Sequence, residues 1–143
     1  SRNISIRVNK LIKEEVKQKL NKITACLRFK RNCELSKKNF RKKIFDLKKK
    51  GKTICGYAAS AKSTTALNYC KIDNRYIDYI VDSTKEKINK FSPGTHIPIV
   101  SVYYFRKHYT DIAILCSWNH RKEIQKKEKK FTLEGGKWIS HVK

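Results

Sequence analysis

The sequence contains no methionine, only two prolines and five glycines, and no apolar run that approaches the length of a membrane-spanning helix. Nothing at its start has the pattern of a signal peptide. The chain begins at Ser1 without a methionine, which indicates a fragment or a processed product. With 143 residues, 39% of them hydrophobic, it is long and apolar enough to form one domain around a buried core.

The five cysteines include no C-x-x-C pair, and the four histidines show no metal-ligand spacing. The odd number of cysteines argues against a disulfide framework, and their scatter argues against a zinc site. Cys55 and Cys116 lie in apolar, strand-like runs, where a free thiol behaves as a small hydrophobic side chain. We therefore expect a reducing, cytoplasmic setting and no metal ligand in this chain.

Acidic residues are scarce, because 12 Asp and Glu stand against 35 Lys and Arg, a formal net charge of +23. Residues 1–50 hold 18 basic and 4 acidic residues, whereas residues 51–143 hold 17 and 8. Such an excess attracts nucleic acid, anionic lipid or a phosphorylated small molecule. However, 27 of the 35 basic residues are lysine, and base readout favours arginine. Solvated lysine surfaces are therefore the favoured interpretation.

The stretch from Thr53 to Cys70 is the centre of the pattern. Residues 53–57 form a short apolar run typical of a buried strand, residues 58–61 have almost no side chain, and residues 62–70 continue with helical spacing. A small-residue turn before a helix is suited to an anion, because backbone N–H groups and the positive end of the helix dipole face it. The glycines of a dinucleotide fingerprint or a P-loop are missing. An ordinary strand–helix connection is an interpretation of equal weight.

The first 50 residues are predicted to form a strand and two helices. Residues 4–8 alternate apolar and polar side chains, as a half-buried strand does. An amphipathic helix is predicted from Lys10 to about Lys30, interrupted at Asn32 and Cys33. Ser36 is expected to cap a second helix that Gly51 ends. Its predicted inward stripe is Phe40, Ile44 and Leu47.

Strand-like and helix-like segments alternate through the rest of the chain. This alternation predicts an α/β fold, a parallel sheet with helices on both faces, preceded by two N-terminal helices. Ligands of such sheets bind at the carboxyl ends of the strands, where residues 58–64, Asp82, residues 93–98 and residues 118–120 are expected to lie. The predicted segments are strands 76–82, 111–116 and 137–139, a loop into an edge strand at 95–100, and helices 102–108 and 121–130.

These motifs together resemble the C-terminal domain of the sugar C-methyltransferases. The resemblance rests on GYAASAKSTTALNYC, a strand ending in IVD, SPGTHIPI and ILCSWNHRKEI, in that order, and covers about residues 52–139. The family usually has glycine where this chain has Ala58, and alanine demands a negative φ more strictly, so we expect a differently shaped turn there. The strand at 4–8 resembles the piece that closes the family's central domain, and residues 10–50 resemble its linker helices.

The resemblance implies a Rossmann-like domain, residues 51–143, after a linker strand and basic helices, residues 1–50. The family's enzymes use S-adenosylmethionine to methylate a carbon of a nucleotide-linked keto-sugar, dTDP-linked by implication. Their zinc module, donor-binding loop and catalytic base belong to other domains. The resemblance therefore implies that this chain holds the nucleotide-sugar against the enzyme's own central methyl-transfer domain and is inactive alone. The lack of a long apolar run predicts no membrane partner, and the predominance of lysine over arginine argues against a nucleic-acid partner.

Several residues are candidates for substrate binding, and none is assigned a catalytic or metal-binding role. Lys62 provides a point charge for phosphate, and Tyr57 and Trp118 can stack on a base or sugar, although a buried aromatic at a strand end is as often core. His96 can instead brace its own loop, Asp82 can cap the next turn, and Glu123 is expected to anchor its loop. The full candidate set is Tyr57, Ala59, Ser60, Lys62, Ser63, Thr64, Asn68, Asp82, Thr95, His96, Trp118 and Asn119.

Two other functions stay open at this point. One is a nucleic-acid-binding module built on the basic helices of residues 10–50, although aromatic residues do not interleave with the basic ones there. The other is a purely structural or dimerisation domain, in which the carboxyl edge of the sheet binds nothing.

Overall fold

The computed structural model of the protein describes residues 5–141, and internal contacts divide the chain into two units, Ser1–Leu35 and Ser36–Lys143. The separate domain boundary expected at residue 50 stays a prediction. In chain order the elements are α1 (Ile6–Lys17), α2 (Ile23–Lys49), β1 (Ile54–Tyr57), α3 (Ala61–Cys70), β2 (Tyr79–Asp82), β3 (Ile99–Ser101), α4 (Val102–Lys107), β4 (Ile112–Leu115), α5 (Arg121–Lys127), α6 (Lys129–Leu133) and β5 (Lys137–Ile139), with 3₁₀ turns at Lys85–Lys87 and Trp118–His120.

The described part of the second unit contains a five-stranded sheet in the order β3-β2-β1-β4-β5, with every neighbouring pair parallel. This confirms the predicted α/β fold with a parallel sheet. The three central strands are buried along their whole length, as expected for strands that are covered on both faces. The predicted edge position of the strand after the proline-marked loop is also confirmed, since β3 lies at one edge.

Alternate residues of β1 point to two separate cores. Ile54 belongs to the core on one face of the sheet, where Phe40 and Ile44 of α2 and Leu67 of α3 pack. Cys55 and Tyr57 belong to the core on the other face, with Phe105 of α4 and Phe131 of α6. The predicted stripe on α2 is therefore confirmed as core, with Phe40 4% and Ile44 1% exposed. Leu47 packs against the same cluster.

Two aspartates fix the amino end of β1. Asp78 accepts the Ile54 N–H at 2.8 Å and pairs with Lys48 at 3.1 Å. Asp111 accepts the Thr53 N–H at 2.9 Å and the Thr53 hydroxyl at 2.8 Å, and its other oxygen lies 2.8 Å from the Lys52 ammonium. Because Asp78 precedes β2 and Asp111 precedes β4, the three central strands are held in register at this end.

The predicted strand at residues 4–8 is wrong for the described residues, and Ile4 lies outside them. Ser5 is an N-cap whose hydroxyl accepts the Val8 N–H at 3.4 Å, and α1 begins at Ile6. Five residues with alternating apolar and polar side chains do not form a stable strand without a neighbouring strand to pair with, and Ile6 is 88% exposed. The helical spacing that follows it therefore determines the local structure.

The predicted helix boundaries between residues 10 and 36 are also wrong. α1 ends at Lys17, and Lys19 adopts φ +57, so the break comes before the predicted end near residue 30. α2 then continues through Asn32 and Cys33 to Lys49, because neither residue costs a helix as much as glycine or proline does. The predicted end at Gly51 is confirmed, with φ +70 and its N–H donated to the Lys48 carbonyl.

Large apolar side chains in the described part of the first unit are exposed. α1 has no buried residue, although its apolar positions recur at helical spacing. No helix within residues 5–141 is both long and apolar enough to cross a membrane. The exposed side chains are Ile6, Val8, Leu11, Ile12, Val16, Leu20, Ile23, Leu27, Phe29 and Leu35.

The five cysteines are free thiols, and Cys55 and Cys116 are buried. Burial raises the pKa of both thiols to about 12, so they are protonated at neutral pH. This confirms that they act as small hydrophobic side chains of the sheet.

Candidate ligand-binding site

A lysine and an asparagine from different parts of the chain meet beside the N-terminus of α3. The Lys62 ammonium donates a hydrogen bond of 2.8 Å to the Asn119 side-chain oxygen and lies 5.8 Å from the centre of the Trp118 ring. Lys62 follows β1 and Asn119 follows β4, and these strands are parallel neighbours. Three predicted site residues are thus brought together at the carboxyl edge of the sheet.

The first turn of α3 is held by a reciprocal cap. The Ser60 hydroxyl accepts the Ser63 N–H at 3.4 Å, and the Ser63 hydroxyl accepts the Ser60 N–H at 2.8 Å. These two hydroxyls therefore shape the helix end, and Ser63 is buried. The N–H groups of Ala61 and Lys62 are the first two of the helix and have no intrahelical acceptor. They are the donors that this helix end can offer to an anion, with Thr64 half-buried behind them.

The turn between β1 and α3 keeps a backbone conformation that favours glycine. Ala58 has φ +76. The expectation that this alanine would adopt a negative φ, and so give the turn a different shape, is therefore wrong. The alanine is instead strained in a conformation that suits glycine. Its N–H still donates to the Val81 carbonyl at 2.8 Å, an acceptor on the neighbouring strand β2. Hydrogen bonding across the sheet edge therefore holds Ala58 in this conformation.

Asp82 braces the same turn. Its carboxylate accepts the Ala59 N–H and the Thr84 N–H, each at 2.8 Å, and lies 3.5 Å from the Lys87 ammonium. Burial alone would raise the pKa of Asp82, but the hydrogen bonds of Thr84 and the charge of Lys87 hold it below its usual value. Asp82 is therefore ionised at neutral pH. Of the two interpretations of Asp82 made from the sequence, the structure agrees with the one in which it caps the turn that follows its strand.

Tyr57 is a core residue whose hydroxyl is committed to a buried carboxylate. It donates to Glu128 at 2.9 Å, and Arg106 donates to the two oxygens of Glu128 at 2.9 and 3.0 Å. Glu128 is 1% exposed and lies where the predicted helix 121–130 breaks into α5 and α6. Burial and the hydrogen bond to Glu128 raise the pKa of Tyr57 far above its usual value. The Tyr57 ring packs on Phe105 and Trp138, so its stacking on a ligand stays a prediction.

Three predicted site residues lie elsewhere. The loop of residues 93–98 leads into the amino end of β3, since the Pro98 carbonyl accepts the Ile80 N–H. The expectation that this loop lies at the carboxyl edge of the sheet is therefore wrong. The chain between β2 and β3 is long enough to return to the amino ends of the strands before β3 begins. Asn68 donates to the Pro93 carbonyl at 3.0 Å, buried Thr95 contacts the Ser92 hydroxyl, and His96 is exposed at φ +51. All three shape the loop or its attachment to α3.

A cavity of about 270 Å³ opens at the carboxyl ends of β1, β2 and β4. Its walls include aliphatic side chains from β2, α4 and α5. Its polar side chains come from the last residues of β1 and β2, from the segments after β2 and β4, and from α5. His120 and Glu123 approach each other to 3.6 Å beside it. The lining residues are Tyr57, Ala58, Val81, Asp82, Ser83, Val102, Ser117, His120, Glu123, Ile124 and Lys127.

Sequence reasoning missed most of this cavity. Ser83 comes directly after β2 and Ser117 comes two residues after the end of β4, and these positions were the signal that the sequence offered. His120, Glu123, Ile124 and Lys127 follow at spacings of three and four residues, which places them on one side of a helix. Val102 of α4 gave no signal, because its approach depends on how α4 packs on the sheet.

Within residues 5–141, no group of three or more His, Cys, Asp or Glu side chains is arranged to hold a metal ion.

A parallel sheet in this order, with helices on its two faces, defines a Rossmann-like α/β domain. Comparison with known proteins is more specific. The family of C-methyltransferase C-terminal domains matches residues 1–142, and the chain belongs to that family. It is 37% identical over 89 residues to the C-methyltransferase NovU of Streptomyces niveus, an alignment that covers 62% of this chain and 21% of NovU. The chain therefore spans about a fifth of the length of this relative.

Proposed function

We propose that this chain is the nucleotide-sugar-binding part of an S-adenosylmethionine-dependent enzyme that methylates a carbon of a nucleotide-linked keto-sugar. Family membership supports the reaction class. The sugar nucleotide, dTDP-linked in our proposal, is what the resemblance to the family implies, and the chemistry of the sheet edge supports only its diphosphate.

The cluster of Lys62, Asn119 and Trp118 is the observation that carries this proposal. The Lys62 ammonium has three N–H donors, and the hydrogen bond to Asn119 uses one of them while orienting the side chain. The remaining donors and the first N–H groups of α3 can bind a diphosphate together. Trp118 is 46% exposed beside them, so its ring is available to stack on a sugar.

Catalysis requires parts that we place outside this chain. We propose that S-adenosylmethionine, zinc and the catalytic base belong to other domains of the enzyme, on this or another polypeptide, and that the chain alone is inactive. Fixing the diphosphate far from the reacting carbon lets binding energy position the sugar.

The partner that we propose is the central methyl-transfer domain, and the exposed apolar residues of the first unit support this. Ile6, Leu11, Ile23 and Phe29 are between 57% and 88% exposed, and such surfaces mark contact with another protein surface. The five free cysteines support a cytoplasmic location for the enzyme.

The test is a calorimetric titration of the chain with thymidine diphosphate, with S-adenosylmethionine and single-stranded RNA as comparison ligands, each at two salt concentrations. We expect thymidine diphosphate to bind and S-adenosylmethionine to give no heat. Strong RNA binding that falls steeply with salt, together with silence toward the nucleotide, would instead favour the nucleic-acid module. If none of the three ligands binds, a purely structural role is favoured and the proposal fails for this chain.

A further inference from the structure

A groove runs along one side of α2, within the part of the helix that belongs to the second unit. This α2 groove has a volume of about 340 Å³ and shares no lining residue with the cavity at the carboxyl edge of the sheet. Because a helix rises about 1.5 Å per residue, the groove is roughly 16 Å long. Its residues recur at spacings of three and four and therefore share one helix face. They are Asn39, Lys42, Lys43, Asp46, Leu47 and Lys50.

The charged side chains of the α2 groove are not used by the fold. All four are exposed, and with the rest of residues 5–141 they form neither a hydrogen bond nor an ion pair. Other cations of the same helix are committed. Arg41 donates to the Lys71 carbonyl at 3.1 Å, and Lys48 pairs with Asp78 at 3.1 Å. The contacts that join α2 to the sheet and to α3 are thus made without the groove lysines.

Asp46 is the one acidic residue that lines the groove. Lys42 and Lys43 precede it by four and three positions, and Lys49 and Lys50 follow it by three and four. Side chains at these spacings are neighbours on a helix, and like charges there are destabilising. Within the described chain Asp46 nevertheless pairs with none of them. A surface that carries several carboxylates is therefore the complementary neighbour of this face.

Asp46 also distinguishes between kinds of polyanion. A nucleic acid has a negative charge at every nucleotide, so a phosphate in the groove would lie against the Asp46 carboxylate. A polypeptide can instead place a basic residue opposite Asp46 and acidic residues opposite the lysines. The groove also lacks the arginine that base readout favours and the aromatic residues on which bases stack. A second copy of the groove would bring lysine against lysine.

We propose that the α2 groove binds an acidic helix of a partner protein. Carboxylates of that helix lie opposite Lys42, Lys43 and Lys50, and one basic residue lies opposite Asp46. Paired charges of this kind select the partner and the register of two helices, as they do in coiled coils. Half-buried Leu47 adds an apolar contact at the side of the groove. This surface is separate from the sheet edge, and the inference does not depend on a sugar nucleotide.

The test measures the binding of two synthetic helical peptides by fluorescence anisotropy. Both peptides carry glutamates along one face, and they differ only at the centre of that face, which is arginine in one and glutamate in the other. Asp46→Lys reverses the charge that should read this position. A double variant, Lys43→Glu with Lys50→Glu, reverses the groove. The matched control is Lys126→Glu with Lys129→Glu, because these lysines are exposed outside the groove and give the same change in net charge.

We expect the wild-type chain to bind the arginine peptide at least about threefold more tightly, although the all-glutamate peptide carries more negative charge. Asp46→Lys should invert this preference. The groove double variant should weaken binding of the arginine peptide by about tenfold or more, and the control double variant should change it little. Circular dichroism should show the same helix content for all variants, since every substituted position is exposed.

Three results would overturn the proposal. A wild-type preference for the all-glutamate peptide, or equal weakening by the groove and control variants, would show that the chain responds only to overall charge. Failure of both peptides to bind, together with single-stranded RNA binding that Asp46→Lys strengthens, would assign the groove to nucleic acid. Self-association of the wild-type chain that the groove variant abolishes would assign it to a second copy.

Discussion

Lys62 and Asn119 lie 57 positions apart in the sequence and are joined by a hydrogen bond of 2.8 Å between the ammonium and the side-chain oxygen. The bond connects the start of α3 with the segment that follows β4, which are the two places where neighbouring parallel strands end. A flexible lysine is thereby held at a helix N-terminus before any ligand arrives. Such preorganisation lowers the entropic cost of binding.

Ala58→Gly is expected to stabilise the fold. Ala58 has φ +76, where alanine is strained and glycine is not, so we expect the free energy of unfolding to rise by about 0.5–1 kcal/mol. The neighbouring substitution Ala59→Gly is the matched control, because Ala59 is not among the positive-φ residues of the described chain. This control should lower the free energy of unfolding. Urea denaturation measures both. If the two variants lose stability equally, Ala58 is not strained.

Arg106→Ala is expected to destabilise the second unit by about 3 kcal/mol, because it leaves the carboxylate of Glu128 buried without its cation. Glu128 is 1% exposed and accepts from Arg106 at 2.9 and 3.0 Å. Arg75→Ala is the control. Arg75 also donates more than one hydrogen bond to a carboxylate, that of Asp73, but the Arg75 side chain is exposed. The control should cost much less than Arg106→Ala, because an exposed ion pair contributes little to stability. Thermal denaturation with similar losses for both variants would contradict the buried network.

Asp111→Asn should give a loss of stability that depends on pH. Hydrogen bonds from Lys52 and Thr53 lower the pKa of Asp111 in the folded state. A lowered folded-state pKa stabilises the fold above the ordinary aspartate pKa of about 3.9, and this contribution is lost as pH falls through the folded-state value. We expect a deficit of about 1 kcal/mol at pH 7, since the pair is partly exposed and screened. It should narrow below about pH 4, and the exposed control Glu86→Gln should cost little at pH 7. A deficit that does not change with pH would contradict the role of the charge.

The two parts of α2 should respond differently to truncation. Ile44 is 1% exposed in the core beneath the sheet, so Ile44→Ala is expected to cost about 2–5 kcal/mol. Leu27 is 54% exposed, so Leu27→Ala should change the free energy of unfolding of this chain by less than about 0.5 kcal/mol. A large effect of Leu27→Ala, measured by guanidinium denaturation, would show that the apolar residues of the first unit are already covered.

The sheet was predictable because each strand is a short apolar run bounded by turn residues. The runs around Ile54, Val81 and Ile114 indicate buried strands, and the helical spacing between them indicates parallel connections. The position of Lys62 just after a strand then predicts its place at the carboxyl edge. The partner Asn119 was predictable for the same reason.

Other features depended on packing that periodicity does not describe. The break after α1 at Lys19 has no glycine or proline to mark it, so the apolar spacing suggested one longer helix. Thr95 and His96 were misplaced because the length of the connection between β2 and β3 does not specify at which end of the sheet the loop lies. The break at Glu128 comes from its buried contacts with Tyr57 and Arg106, and a charged residue in a polar helix gives no sign of such burial.

The most direct test of the central claim compares Lys62→Ala with Lys71→Ala for binding of thymidine diphosphate. Both lysines are exposed, and Lys71 follows the opposite, C-terminal end of α3, so both variants lower the net charge equally. A charge-assisted hydrogen bond contributes about 1.5–3 kcal/mol, so Lys62→Ala should weaken binding by about tenfold or more, while Lys71→Ala leaves it nearly unchanged. Equal weakening by the two variants would contradict a site at Lys62 and show that the nucleotide responds only to the overall positive charge.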